Sequence, residues 1–166
     1  MVGMVFSGVL PLTGWGQAGQ VIRRVGPENA RISSVVWVGD TLYVSGTMAP
    51  VDYPADKAKG TPAGYKGDTK AQATGAIRSI EIALKKEGLG LGDVVQMQAF
   101  LVGDPAKGGV MDRDGWDAAY SQFFGTEEQP NRPVRATVQV MRTVIPSGLI
   151  EIMVVAARSR VAEPVK

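Results

Sequence analysis

The chain has 166 residues, 45% of them hydrophobic and 20% charged, which is enough for one domain with a substantial core. Its 18 basic and 16 acidic residues give a net charge of +2 and form no basic run, so the composition does not support nucleic-acid binding. The sequence contains no cysteine and no histidine, which excludes thiol chemistry, Ser-His-Asp catalysis and the usual zinc sites. Proton transfer is therefore left to Asp, Glu, Lys, Tyr, the backbone or water.

The first 20 residues are apolar and glycine-rich, with no charge before Arg23. The stretch is too short and too interrupted by Gly and Pro to span a membrane, and it lacks the basic start of a secretory signal. It is either the end of a signal that starts upstream or a tail or docked arm, and we favour the second. We predict a tail or arm over 1–30, a single domain over 31–160 and a tail over 161–166. The expected location is cytoplasmic, or periplasmic if the N-terminus is a signal remnant.

Two β-rich runs occupy 31–38 and 41–48, with Gly39-Asp40 between them. A two-residue Gly-Asp link between such runs predicts a β-hairpin. The following segment, 49–66, contains Pro50, Pro54 and Pro62. It predicts a long loop at an edge of the sheet, and this loop is a candidate functional segment.

Helical and extended patterns alternate in the middle of the chain. A helix is predicted from Asp68 or Thr69 to about Glu87, because apolar residues recur there at helical spacing. A strand follows over 94–102, and a second helix is predicted over 113–124 with Asp112 as a candidate cap.

The C-terminal part predicts two further strands. The run 134–141 alternates apolar and polar residues, and the run 149–157 is almost entirely apolar and β-branched, as in a central strand. We interpret them as a hairpin joined by the Pro- and Gly-containing segment 143–148. Arg135 and Glu151 interrupt these core-like strands, and a charge within a sheet costs several kcal/mol, by a rough general figure, unless it is paired. One interpretation is a structural ion pair between the two residues.

This order of elements predicts an α+β fold, with both helices on one face of a mixed sheet. Several strands are apolar on both sides, so the second face of the sheet would be a large apolar patch. We infer a homo-oligomer in which these faces pack together and a site can lie between subunits.

Several motifs then point to a family, among them Gly-Asp-Val-Val at 92–95, a helix with Ala119-Tyr120 and Phe123-Phe124, and three further runs. The three further runs are Leu42-Tyr43-Val44-Ser45-Gly46, the run Pro133-Val134-Arg135-Ala136-Thr137-Val138-Gln139-Val140, and Ile150-Glu151-Ile152. In this order they resemble the Rid/YjgF family of reactive intermediate deaminases, over about residues 31–158. The resemblance implies a chorismate-mutase-like fold with a six-stranded sheet, a homotrimer and clefts between adjacent subunits. It implies neither a metal nor an organic cofactor.

The resemblance also implies roles for individual residues. Arg135 matches the arginine that clamps a substrate carboxylate, and Glu151 matches the glutamate that holds the attacking water. The other candidate substrate-binding residues are Ser45, Gly46, Asp117 and Thr137. Asp117 and Thr137 stand where the family's deaminases usually have asparagine and cysteine, and Ile32 stands in place of a tyrosine. A hydroxyl from the long loop, on Tyr53 or Tyr65, is a candidate to replace that tyrosine.

Three functions remain open at this point. The first is an enamine/imine deaminase that hydrolyses small 2-imino acids to 2-keto acids and ammonia. The alternative is a non-catalytic sensor of small carboxylates on the same trimeric scaffold. The third, action on nucleic acid, is disfavoured by the modest charge, and neither a nucleic-acid nor a membrane partner is expected. Trp37, Trp116 and Tyr120 are interpreted as core or interface residues rather than stacking platforms.

Overall fold

The computed structural model describes residues 21–159, which form one six-stranded mixed sheet and two helices. The strands are β1 (Ile22–Val25), β2 (Val35–Val38), β3 (Thr41–Thr47), β4 (Val94–Val102), β5 (Val134–Val140) and β6 (Ile150–Ala157). The helices are α1 (Thr69–Lys86) and α2 (Arg113–Tyr120). The strand order is β1-β2-β3-β6-β4-β5, with β4 and β5 parallel and all other neighbours antiparallel. The predicted α+β class is confirmed.

Local signals in the sequence explain the first elements. Gly39 takes a positive φ of 57° in the tight link between β2 and β3, a conformation that favours glycine. The Asp68 side chain accepts a hydrogen bond of 2.8 Å from the Ala71 amide and so caps α1, as predicted. Asp112 caps α2 in the same way, through the Gly115 amide.

Helix α2 ends at Tyr120, four residues earlier than predicted. The Ser121 hydroxyl donates to the Asp117 carbonyl, and the Gln122 side chain donates to the Ala118 carbonyl. The Gln122 amide donates to the Ala119 carbonyl and the Phe123 amide to the Tyr120 carbonyl, so the backbone changes from the α-helical pattern to tighter turns after Tyr120. The aromatic residues of the predicted last turn therefore lie in turns rather than in a helix.

The predicted C-terminal hairpin is wrong. Strands β5 and β6 do not pair with each other, because β4 lies between them and pairs with both. The β4–β5 pair is parallel, and α2 lies in the connection between these two strands. Alternation along each run identified the strands correctly, but it carries no information about which strand is the neighbour.

The sheet extends nearer to the N-terminus than the predicted domain start at residue 31. Strand β1 lies within the range predicted as a tail or arm, and it pairs antiparallel with β2 at the edge of the sheet. Predictions for residues 1–20 and 160–166 lie outside the residues that the structure describes.

The helices and the core lie on one face of the sheet. Helix α1 contacts β3, β6 and α2, and the β6 side chains beneath it are fully or almost fully buried: Ile150, Ile152, Val154 and Ala156. We call this the helix face and the opposite side the open face. Large apolar side chains on the open face are partly exposed in the single chain: Tyr43 (48%), Val134 (71%), Val138 (47%) and Met153 (41%).

Candidate active site

Arg135 lies on edge strand β5, and its guanidinium group rests against two aromatic rings of α2. Its central carbon is 4.5 Å from the Tyr120 ring centroid and 5.3 Å from that of Trp116. Cation–π attraction and the flat aromatic wall hold the guanidinium in one place. Burial raises the pKa of Tyr120, while the positive charge of Arg135 acts in the opposite direction. The Tyr120 hydroxyl therefore stays protonated beside the arginine at neutral pH.

Asp117 pairs with this arginine. Its Oδ1 accepts a hydrogen bond of 2.8 Å from Arg135 Nη2, and its Oδ2 lies 3.4 Å from Nε of Arg113. Arg135 Nε and Nη1 make no hydrogen bond to any residue of the 21–159 range. The guanidinium thus retains donors that could meet a second carboxylate.

A cavity of about 230 Å³ opens beside the Arg135 guanidinium. Its lining residues are Met111, Arg113, Trp116, Arg135 and Thr137. The Thr137 hydroxyl accepts a hydrogen bond of 3.2 Å from the Trp116 indole nitrogen, which fixes the ring that forms the wall. The structure thus brings Arg135, Asp117 and Thr137 together in one cluster, which we call the arginine cluster, with Arg113 as a fourth member.

Glu151 belongs to a second cluster, with Ser45 and Gly46. Between the pairs Val44–Val154 and Thr47–Ile152 the register shifts, so Ser45 and Gly46 together lie opposite Met153. The Glu151 carboxylate packs directly on Gly46, and a Cβ at position 46 would collide with it. The Ser45 amide is already bonded to the Ser34 carbonyl at 3.0 Å. We call Glu151, Ser45 and Gly46 the glutamate cluster.

The two clusters lie on opposite faces of the sheet. Phe100 pairs with both Glu151 and Val138, whereas Ala99 pairs with both Ile152 and Thr137. Cross-strand partners share a face, and successive residues alternate between faces. Arg135 and Thr137 therefore lie on the helix face, and Glu151 lies on the open face.

An ion pair between Arg135 and Glu151 is consequently excluded within one chain. Arg135 pairs with Asp117 instead, and Glu151 makes no ion pair or hydrogen bond with the residues of the 21–159 range. An unpaired carboxylate within a sheet lacks an evident structural purpose, which makes it a candidate for chemistry.

The long loop approaches the glutamate cluster through Tyr65. This side chain is buried and donates a hydrogen bond of 2.9 Å to the Ala49 carbonyl. Burial raises the pKa of Tyr65, and the negative charges of Asp52 and Glu151 raise it further. Tyr65 also lines a cavity of about 220 Å³ with residues of the loop and of α1. Ile32, at the position of the family tyrosine, is 71% exposed in the segment before β2 and offers no hydroxyl.

Arg113 is the member of the arginine cluster that sequence reasoning missed. It lies four residues before Asp117, a spacing at which opposite charges on a helix meet. Trp116 was interpreted as a core residue and is fully buried, but it also forms a wall of the cavity.

Within residues 21–159, no group of three or more acidic side chains is arranged to hold a metal ion. Over the same range, neither helix is long and apolar enough to cross a membrane.

Several solved structures are similar to this fold. They include the YjgF gene product from E. coli (27% identity, 81% of this chain and 91% of that chain, TM-score 0.59). A member of the YjgF/YER057c/UK114 family from Mycobacterium tuberculosis is similar at 26% identity, over 83% of this chain and 100% of that chain, with a TM-score of 0.60. The TdcF protein of E. coli, whose structure contains bound serine, is similar at 26% identity, over 81% of this chain and 91% of that chain, with a TM-score of 0.59.

This α+β fold, with two helices on a six-stranded mixed sheet, matches structures of the YjgF family. The family described as Endoribonuclease L-PSP matches residues 23–158 of the chain. The chain therefore belongs to this family, the YjgF/Rid family, as the sequence motifs predicted. None of the curated proteins matches the sequence at a significant level.

Proposed function

We propose that this protein is a cofactor-free deaminase that hydrolyses small 2-imino acids, or their enamine tautomers, to 2-keto acids and ammonia. The observation that carries the proposal is the Arg135 guanidinium, which is fixed against two aromatic rings at the edge of a cavity of about 230 Å³. Family membership and the bound serine in the similar TdcF structure support a small ligand of amino-acid type.

Arg135 is proposed to bind the substrate carboxylate. A guanidinium fork can donate two parallel hydrogen bonds to a carboxylate, and Nε and Nη1 are unbonded within the described part of the chain. The carboxylate of a 2-imino acid adjoins the reactive C=N bond, so binding one end of the ligand positions the carbon that reacts. Thr137 and Trp116 line the same cavity and limit the size of the side chain at that carbon.

Glu151 is proposed to hold the attacking water. The carboxylate accepts a proton from water as the oxygen adds to C2 and returns it to the imine nitrogen, which gives a neutral carbinolamine. The same carboxylate then accepts the hydroxyl proton and passes it to the nitrogen as the C–N bond breaks, so that ammonia leaves and the carbonyl forms. One imino acid and one water yield one keto acid and one ammonia, so no oxidant or reductant is needed.

The opposite faces of Arg135 and Glu151 support a site that two subunits share, if both residues act on one substrate. Edge strand β5 carries Arg135, and the apolar open face carries Glu151, so packing an open face against a neighbour can bring the two clusters together. We propose the homotrimer that the resemblance implies, with each cleft built from the arginine cluster of one subunit and the glutamate cluster of the next.

The proposal is tested by imine hydrolysis. Both 2-iminopropanoate and 2-iminobutanoate are generated in place by an amino-acid oxidase or dehydratase, and keto-acid formation is compared with spontaneous decay. We expect the wild type to accelerate hydrolysis and Arg135→Ala to lose the acceleration by about a hundredfold or more. Lys85→Gln, which removes an exposed helical ion pair with Glu81, is the matched control and keeps wild-type activity. Wild-type protein that gives only the spontaneous rate with both imines would contradict the proposal.

A second candidate function is a sensor of small carboxylates without catalysis. Two observations favour it: Asp117 already occupies one donor of Arg135, and Ile32 provides no hydroxyl where the family has tyrosine. Saturable keto-acid binding without faster imine hydrolysis is the result that this candidate predicts.

A further inference from the structure

The arginine cluster contains an arrangement that its carboxylate-binding role does not require. Asp117 contacts two guanidinium groups through different oxygens: Oδ1 lies 2.8 Å from Arg135 Nη2, and Oδ2 lies 3.4 Å from Arg113 Nε. Both arginines also line the cavity of about 230 Å³. The aspartate thus contacts two cations that both line the proposed site.

The three side chains differ in freedom. The Arg135 side chain is only 24% exposed and rests on the rings of Trp116 and Tyr120. The side chains of Asp117 and Arg113 are 41% and 71% exposed. A rearrangement would therefore move Asp117 and Arg113, while Arg135 stays in place.

The charges of the cluster fit a monoanionic ligand. Two guanidinium groups and one carboxylate leave a single positive charge, which one carboxylate of a ligand neutralises. If Asp117 stayed on Arg135, a ligand carboxylate would meet a like charge beside it, which disfavours binding. If Asp117 moves to Arg113, each carboxylate has its own guanidinium.

We propose that Asp117 is a movable counter-ion that passes from Arg135 to Arg113 when a monocarboxylate ligand binds. Asp117 and Arg113 are thus positioning residues that set the affinity for the ligand without touching the reacting atoms. This inference rests on the proposed function in one respect, because it takes Arg135 as the group that binds the carboxylate.

A double-mutant cycle tests the proposal by calorimetric titration with pyruvate and 2-oxobutanoate. We expect Asp117→Asn to tighten binding by roughly threefold to tenfold, because the competing charge is removed. Arg113→Gln should weaken binding by a similar factor, because the displaced aspartate loses its second partner. In the Asp117→Asn background Arg113→Gln should have little effect, since no aspartate charge remains to be accommodated.

Lys85→Gln again serves as the control, because it breaks an i,i+4 ion pair of α1 and lies outside the arginine cluster. Melting temperature and particle mass establish that every variant is folded and assembled before titration. Weaker binding by Asp117→Asn would overturn the proposal, because the aspartate would then orient Arg135 for the ligand. Equal effects of Arg113→Gln in both backgrounds would also overturn it.

Failure of the proposed function has a different signature. If the wild type binds keto acids but hydrolyses neither imine, the proposed deaminase function is wrong. The double-mutant cycle on Asp117 and Arg113 still tests the movable counter-ion. If neither the wild type nor Asp117→Asn binds keto acids, the proposal that Asp117 is a movable counter-ion is wrong. The imine assay on the wild type then tests the deaminase function independently.

Discussion

The arginine cluster and the glutamate cluster differ in whether their charged side chains have an ionic partner in the same chain. Arg135 is neutralised within its own chain, by Asp117, and is stacked on aromatic rings. Glu151 packs on the bare backbone of Gly46, has no ionic partner within residues 21–159, and shares its face with apolar side chains. The charge of Arg135 thus has a partner in its own chain, whereas the charge of Glu151 has none among the described residues.

On the proposed function, this difference means that the single chain carries two separate halves of one site. An isolated carboxylate on an apolar face is costly unless something else meets it, and the sheet prevents Arg135 from doing so in the same chain. In this proposal the arginine cluster binds the ligand, and the glutamate cluster supplies the group that activates water. Experiments that measure binding and turnover separately, or that alter one face of the sheet alone, test this distinction.

The largest effect is expected on catalysis. Arg135→Ala should abolish keto-acid binding, whereas Glu151→Gln should keep the dissociation constant within about threefold and lower kcat by about a hundredfold or more. Calorimetry gives the first quantity, and the imine assay gives the second. Loss of keto-acid binding in Glu151→Gln would contradict the assignment of binding to the arginine cluster and of catalysis to the glutamate cluster.

Assembly is the next property expected to change. Met153→Glu places a charge on the open face. It should convert the proposed oligomer into monomers that do not hydrolyse imines, because the two clusters of different subunits are then apart. Light scattering coupled to size-exclusion chromatography measures the mass. The matched control is Ile82→Glu, at a position that is 57% exposed on α1, and it should leave the mass unchanged. An active monomeric Met153→Glu variant would contradict a shared site.

Gly46→Ala should perturb the glutamate cluster alone. The added Cβ collides with the Glu151 carboxylate, so the side chain must move, with an expected cost of about 1–3 kcal/mol in the free energy of unfolding. Turnover should fall by about tenfold or more while keto-acid binding changes little. Gly90→Ala is the control, because the nearest atom to its added Cβ is 4.0 Å away. Equal losses in the two variants would point to a general effect of losing glycine.

The smallest effect concerns stability and its dependence on pH, and it compares Glu151 with a fully partnered carboxylate. Glu87 accepts hydrogen bonds from Trp37 (2.8 Å) and from Arg23 (2.6 Å). These two bonds, that of Trp37 first, hold the pKa of Glu87 below its ordinary value. The resulting stabilisation is present above the unfolded pKa, about 4.3, and is lost as the pH falls through the lower folded pKa.

Glu87→Gln should therefore lower the free energy of unfolding by about 1 kcal/mol at pH 7, and the deficit should vanish in acid. Glu151→Gln should leave stability unchanged or raise it at pH 7, because it removes a charge that has no partner in the described chain. Thermal melting from pH 3 to pH 8 measures both. A destabilised Glu151→Gln variant would mean that Glu151 has a structural role.

Elements with local signals could be predicted from the sequence, and pairings between distant segments could not. The Asp68 cap and the Gly39-Asp40 link are encoded within a few residues, so α1 and the β2–β3 hairpin were identified correctly. The insertion of β4 between β5 and β6 depends on long-range packing that no alternation pattern reports. Strand β1 is only four residues long and carries two arginines, so its sequence resembles a polar segment.

In the candidate site, too, the local motifs could be predicted from the sequence, whereas the arrangement of distant residues could not. The motifs identified Arg135 and Glu151, and the alternation of side chains was visible in the sequence. Which face the helices cover was not visible, so the assignment of the two residues to opposite faces required the strand register. The Asp117–Arg135 pair joins a helix to a strand, and its two partners are 18 positions apart in the chain.

Mixing two inactive variants tests the shared site most directly. Arg135→Ala and Glu151→Gln chains are combined in equal amounts, dissociated, reassembled and assayed for imine hydrolysis. If each site takes Arg135 from one subunit and Glu151 from its neighbour, random assembly should restore about a quarter of the wild-type activity, because that fraction of junctions joins two intact halves. If the mixture stays as inactive as its components although mixed oligomers form, Arg135 and Glu151 do not meet across a subunit boundary and the two-half description is wrong.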